Sequence, residues 1–209
     1  MPILTVEKVS IMRKKIIKAL CISVVVAFAC VGVIAQKAVA EQQNIADNVL
    51  RFHVLANSDS QDDQDLKLQV RDSVIEYVQS LEGQNLKDTK EKILANLANI
   101  EEVAKSVINE NGYNYTVLAK LEECEFPTKD YGDISLPAGI YEALRVEIGA
   151  SEGHNWWCVI YPNICFVDAG AILPDSSKQE LKGALTAADY ALITGKQPLK
   201  FRILEWLNK

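Results

Sequence analysis

The chain has 209 residues, 24% of them charged, with 22 Lys and Arg against 28 Asp and Glu for a formal net charge of −6. Residues 1–40 hold six of the basic residues and one of the acidic ones, so the remainder carries −11 and has no basic block. That balance argues against nucleic acid as a partner and against an electrostatic grip on anionic lipid.

Arg13, Lys14, Lys15 and Lys18 form a basic cluster, the uncharged apolar run Ala19 to Ala35 follows, and then comes Ala38-Val39-Ala40. Basic, apolar and small-residue regions in that order make a secretory signal, and we expect cleavage after Ala40. The other reading is an uncleaved N-terminal anchor, since the apolar run is near the lower limit for spanning a bilayer. Met12 directly precedes the basic cluster and is a second candidate start, with 1–11 as an extension. Residues 41–209 are then a single exported domain, long enough for one core. Cys21 and Cys30 fall within the signal, which leaves Cys124, Cys158 and Cys165. In an exported protein, one disulfide and one spare thiol account for that odd number.

Residues 41–49 read as a mobile or weakly helical lead-in. The stretch 50–56 alternates as a strand, with Phe52, Val54 and Ala56 on one face and Arg51, His53 and Leu55 on the other. Asn57-Ser58-Asp59-Ser60 favours a turn and a helix cap, and Asp62, Asp63 and Asp65 suit the positive end of the helix that follows. Apolar spacing predicts helices over 62–80 and 85–110, an antiparallel pair on one face of a sheet, with Asn111-Gly112 closing the second. From Tyr113 the period switches to two and predicts a strand to about Glu125. Pro127 to Gly139 reads as an irregular connection, Ile140 to Gly149 and Asn155 to Tyr161 as strands, and Ile164 to Asp168 as a short extended piece. Pro174 opens a last helix, capped by Ser177 with Glu180 and stopped by Gly195 and Pro198. The tail 201–207 fits a strand or a short amphipathic helix, and we read it as a strand. The order predicts an α+β fold: a mostly antiparallel sheet with the two-helix hairpin and the C-terminal helix packed on it.

Taking Tyr161-Pro162 as a two-residue loop sets Cys158 opposite Cys165, within disulfide range and worth roughly 2–3 kcal/mol if unstrained. His53, His154, Cys158 and Cys165 have the composition of a zinc shell. The spacing fits no familiar zinc module and oxidised cysteines cannot ligate, so no metal is expected. The acidic run 57–65 lacks the glycine and glutamate of an EF-hand. Ser58 with His53, or Cys158 with His154 and Asp168, are the candidate nucleophile–base sets. Neither lies in a known catalytic signature, and structural hydrogen bonding is the simpler role for both histidines. Trp156 and Trp157 point to opposite sides of a strand, one toward the core and one available as a contact anchor or as a lid over the disulfide.

The runs RFHVLANSDSQDDQDLKLQVRD and GHNWWCVIYPNICFVD carry more polar detail than folding requires, and they resemble the stage II sporulation protein R family of endospore-forming bacteria. The resemblance extends from about Asn48 to the C-terminus. Its matching positions are Arg51, His53, Asn57, Ser58, Asp59, Lys67, Arg71 and Asp72, then Gly153, His154, Asn155, Trp156, Trp157, Cys158, Pro162, Cys165 and Asp168. It implies a non-enzymatic signalling protein, secreted across the forespore membrane into the intermembrane space. There it would activate a membrane-embedded aspartic protease that processes the sigma-E precursor. It assigns no catalytic residue, cofactor or small-molecule substrate. Arg51, His53, Asn57, Ser58, Asp59, His154, Asn155, Trp156 and Trp157 are then the candidate partner-binding residues. The alternative is a secreted metal-dependent or His/Asp-based hydrolase using His53, His154 and Asp168.

Overall fold

The computed structural model describes residues 3–165 and 173–195, with side chains from residue 10. The chain divides into two units, 1–40 and 41–209. Helix α1 (Ile3–Ala46) is long and apolar enough, from Ser10 onward, to cross a membrane by length and composition. Its side chains Ile17, Val25, Phe28 and Val33 are exposed, as suits a segment whose apolar surface meets lipid or a translocation channel.

In the second unit, strand β1 (Leu50–Leu55) is buried along its whole length because it has a neighbour on either side. It pairs in parallel with β5 (Gly139–Ile148) and antiparallel with β6 (Asn155–Tyr161). β2 (Val117–Phe126) pairs antiparallel with the far side of β5, giving the order β2-β5-β1-β6. The sheet is mixed and mostly antiparallel, and the fold is α+β as expected. The register sets His53 beside Arg145 and Trp157, and Val54 beside Val146 and Trp156. The predicted two-faced strand is therefore present.

Helix α2 (Gln61–Ser80) and helix α4 (Leu97–Glu110) pack together. α2 buries Leu66, Val70, Val74 and Val78; α4 buries Ile100, Ala104 and Ile108. Each fully buried large aliphatic contributes roughly 1.5–3 kcal/mol before ordering costs.

Of the two readings of the lead-in the helical one holds, to Ala46, with Ile45 and Ala46 buried. Five expectations are corrected. The predicted helix 85–110 is two, α3 (Leu86–Ala95) and α4, divided at Asn96. There the Asn96 amide donates to the Lys92 carbonyl at 2.8 Å, a local bond that competes with helix continuation. The strand begins at Val117, four residues later than predicted, because Val117 pairs with Ile148, the last residue of β5, and the chain beyond it turns away at Gly149 with φ +57°. The connection 127–139 contains a small hairpin, β3 (Lys129–Tyr131) and β4 (Ile134–Leu136), turning at Gly132 with φ +62°. The last helix is also two, α5 (Asp175–Ala184) and α6 (Ala187–Thr194). Ser177 with Glu180 does not cap α5, which follows Pro174 without a side-chain cap bond, whereas Thr186 caps α6, accepting from the Asp189 amide at 3.2 Å. The expected extended piece is described only to Cys165, and Asp168 and the 201–207 tail lie outside the described residues.

Candidate partner-binding site

β1 ends where β6 begins, so the turn after one and the turn before the other meet at the same end of the sheet. Ser60 caps α2, its Oγ accepting from the Asp63 amide at 3.2 Å. The buried Asp63 carboxylate accepts from Asn57 Nδ2 at 2.9 Å and Ser58 Oγ at 2.5 Å. Asn57 then reaches across, its Oδ1 accepting from the Ala150 amide at 3.0 Å. The Gly153 amide donates back to the Ala56 carbonyl at 3.0 Å. Asp59 Oδ1 accepts from the His154 amide at 2.6 Å and also meets His154 Nδ1. Lys67 completes the clamp, donating to the His154 carbonyl at 3.0 Å and to Gln64 Oε1 at 2.6 Å.

Glycine is required where the loops touch. A Cβ on Gly153 would collide with the Ser58 carbonyl and the Ala56 side chain. Gly153→Ala is therefore expected to cost about 2 kcal/mol or more, since backbone cannot swing aside as a side chain can. A lowered urea midpoint at unchanged slope would show it; an unshifted midpoint would mean that the loops are not clamped.

The electrostatics follow from this packing. Burial pushes the Asp63 carboxyl up, but hydrogen bonds from Ser58, Asn57 and Tyr115, with the Ser60 cap, outweigh it and hold the group below its ordinary range. Burial, helped by the neighbouring Arg71 charge and opposed by Asp59, pushes the Lys67 ammonium down. What the clamp leaves outside is Asp59 and His154, whose side chains are 57% and 77% exposed. Beside them Trp156 is half-buried, with the Arg71 guanidinium 4.1 Å from its ring centroid and Arg71 itself paired to Asp72 at 2.6 Å.

The other candidates lie on the opposite face of the sheet. His53 is buried and bonded to Asn155 Oδ1 at 2.7 Å, and its ring stacks on Trp157. Burial holds its pKa below the ordinary histidine value, against the raising effect of the Asn155 bond. Arg51 is fully buried. Its Nε donates to the Cys158 carbonyl at 3.1 Å and its Nη2 to the Tyr131 hydroxyl at 3.0 Å. Its guanidinium carbon sits 4.2 Å from the Phe126 centroid and 4.9 Å from that of Tyr141. Burial, opposed by Arg51, pushes Tyr141 up to about 12. The nine candidate residues thus form two groups, one outward at the clamp and one inward around Arg51 and His53.

The chemical alternatives fare differently. Cys158 and Cys165 are joined with Cα atoms 5.1 Å apart, so neither is a thiolate nucleophile or ligand. Val159 and Ile164 face each other as the hairpin register predicts. Cys124 is the buried spare thiol, its pKa raised by burial. Ser58 spends its hydroxyl on Asp63, and His53 is bonded to Asn155, so they do not act as a nucleophile–base pair here. Asp168, the proposed orienter of His154, lies outside the described residues. Reading the sequence did not identify the Phe126, Tyr131 and Tyr141 cage, or Asp63 as the hub of the clamp. The Ser60-x-x-Asp63 spacing was the available signal for the second.

Two comparisons with known proteins bear on these motifs. The family profile described as stage II sporulation protein R matches residues 46–171. Stage II sporulation protein R of Bacillus subtilis (strain 168) is 33% identical over 220 residues, covering 94% of this chain and 98% of that protein. No solved structure matches the chain. The matched span holds both clamped loops, the Arg51 cage and the disulfide hairpin, and the chain belongs to the stage II sporulation protein R family.

Proposed function

We propose that this protein is an exported, non-enzymatic signal of endospore formation that activates a membrane-embedded aspartic protease processing the sigma-E precursor. Family membership supports the sporulation role, and the apolar N-terminal helix suits export, whether its segment is cleaved after Ala40 or retained as an anchor. The observation that carries the reading is the clamp. A set of polar residues is spent on fixing two loops so that Asp59 and His154 stand outward, beside the Arg71–Trp156 pair. Rigid, outward polar groups next to a half-buried aromatic are what a protein partner recognises, because little entropy is lost on docking. His53, Arg51 and Trp157 lie on the other side of β1 and β6 and serve the surface indirectly, by holding those strands.

The test is reconstitution of the purified protease and sigma precursor with the full chain. Wild type triggers cleavage. Asp59→Ala combined with His154→Ala lowers activation by at least about tenfold, equivalent to about 1.4 kcal/mol of lost binding, with the fold intact by circular dichroism. Full activation by that folded double variant sinks the surface. No activation by the wild type sinks the activator reading.

A further inference from the structure

The segment directly after the expected cleavage point is built into the domain. Ile45 is fully buried, and Gln42 and Ala46 are nearly so. Gln42 Nε2 donates to the Ile140 carbonyl at 3.2 Å, and its amide occupies the space that a Cβ on Gly139 would need. Backbone bonds from Asp47 to Gln43 and from Asn48 to Ile45, at 2.9 and 3.1 Å, keep the turn helical up to the entry of β1. The bond between Ala40 and Glu41 is itself within α1.

A protease takes its substrate extended across the scissile bond, through backbone pairing that a helix cannot offer. Here the C-terminal side of the bond is fixed from its second residue onward. Cutting a folded chain therefore requires the 41–46 turn to be pulled out first, with Ile45 leaving the core, and the rate falls in proportion to that rare open state. We propose that residues 42–46 are a latch that times export processing. The bond after Ala40 is open to signal peptidase only before the domain folds, and a chain that folds first keeps its apolar segment. Folding then competes with cleavage to set how much protein is released and how much stays tethered. The inference rests on reading Ala38-Val39-Ala40 as a processing site and is independent of protease activation.

The full chain, purified uncleaved in detergent micelles, is mixed with purified signal peptidase in two arms, and products are read by intact mass. In one arm the chain is kept folded; in the other it is diluted from urea directly into the enzyme. We expect a product beginning at Glu41, formed at least about tenfold faster in the second arm. Folded Gln42→Ala, which keeps Ile45 in the core, is cut faster than folded wild type. Equal rates in the two arms overturn the proposal, as does a product beginning elsewhere or no product in either arm. The mass readout needs no signalling partner, so failure here and failure of the activator reading are separable.

Discussion

Arg51→Ala is expected to lower stability by about 3–5 kcal/mol, the range for emptying a large buried site. Arg51 is fully buried, and its guanidinium sits among the rings of Phe126, Tyr131 and Tyr141. Its two bonds fasten β6, through the Cys158 carbonyl, to the β3–β4 hairpin, through the Tyr131 hydroxyl. Truncation leaves a cavity, strips one partner from each acceptor, and frees the hairpin that covers this side of the sheet. Arg51→Met separates volume from charge. Among the described residues Arg51 bonds only neutral acceptors, the Cys158 carbonyl and the Tyr131 hydroxyl, and the thioether fills much of the same space. Replacing a buried charge by a hydrophobe of similar volume is often close to neutral, so Met should cost no more than about 1–2 kcal/mol. Urea unfolding monitored by tryptophan fluorescence ranks the variants. An Ala variant within 1 kcal/mol of the parent would show that the cage is not holding the sheet together.

The cage also shows where the sequence stopped being legible. Alternation over 50–56 correctly put Arg51, His53 and Leu55 on one face. It could not say what covers that face, because the cover is a hairpin with three-residue strands, seventy-eight positions away at Lys129 and too short to show a period. The same limit hid the parallel pairing of β1 with β5, a long-range choice with no local signature. Asn96 was unreadable for the opposite reason. One side-chain amide bonding back to Lys92 divides a helix whose apolar spacing continues unbroken through it. The disulfide was legible because a tight turn after β6 sets its geometry locally, the Ile164 amide donating back to the Val159 carbonyl. The clamp was half legible: both loops stood out by their residues, while the contact of Asp59 with His154 depends on β1 and β6 being neighbours.

Asp63→Ala should cost roughly 2–4 kcal/mol and release the clamp without touching its exposed residues. The carboxylate accepts from Asn57 and Ser58, while its own amide closes the Ser60 cap. Deleting it takes the shared acceptor from Asn57 and Ser58, which are half-buried at the mouth of the clamp, and a partly desolvated donor without its acceptor costs more than the bond was worth in water. The cap itself survives, because it uses the Asp63 backbone, so α2 should keep its start. The pH dependence has a definite sign. The folded pKa lies below the ordinary carboxylate value, so the native state binds this proton less readily than the unfolded chain does. The stabilisation is therefore fully present above the unfolded value of about 4 and is lost as pH falls through the lower folded value. The difference in unfolding free energy between wild type and Asp63→Ala should be constant from pH 8 to about 5 and narrow below 4. A gap that stays the same down to about pH 2, or widens there, would mean that the charge of Asp63 plays no part. Because Asn57 reaches Ala150 only while Asp63 orients it, amide exchange at Ala150 and His154 should quicken in the variant, with the α4 amides unchanged. The recognition surface would then lose its rigidity before the domain loses its fold, which places Asp63 between the two as the residue that makes an outward surface out of an ordinary helix cap.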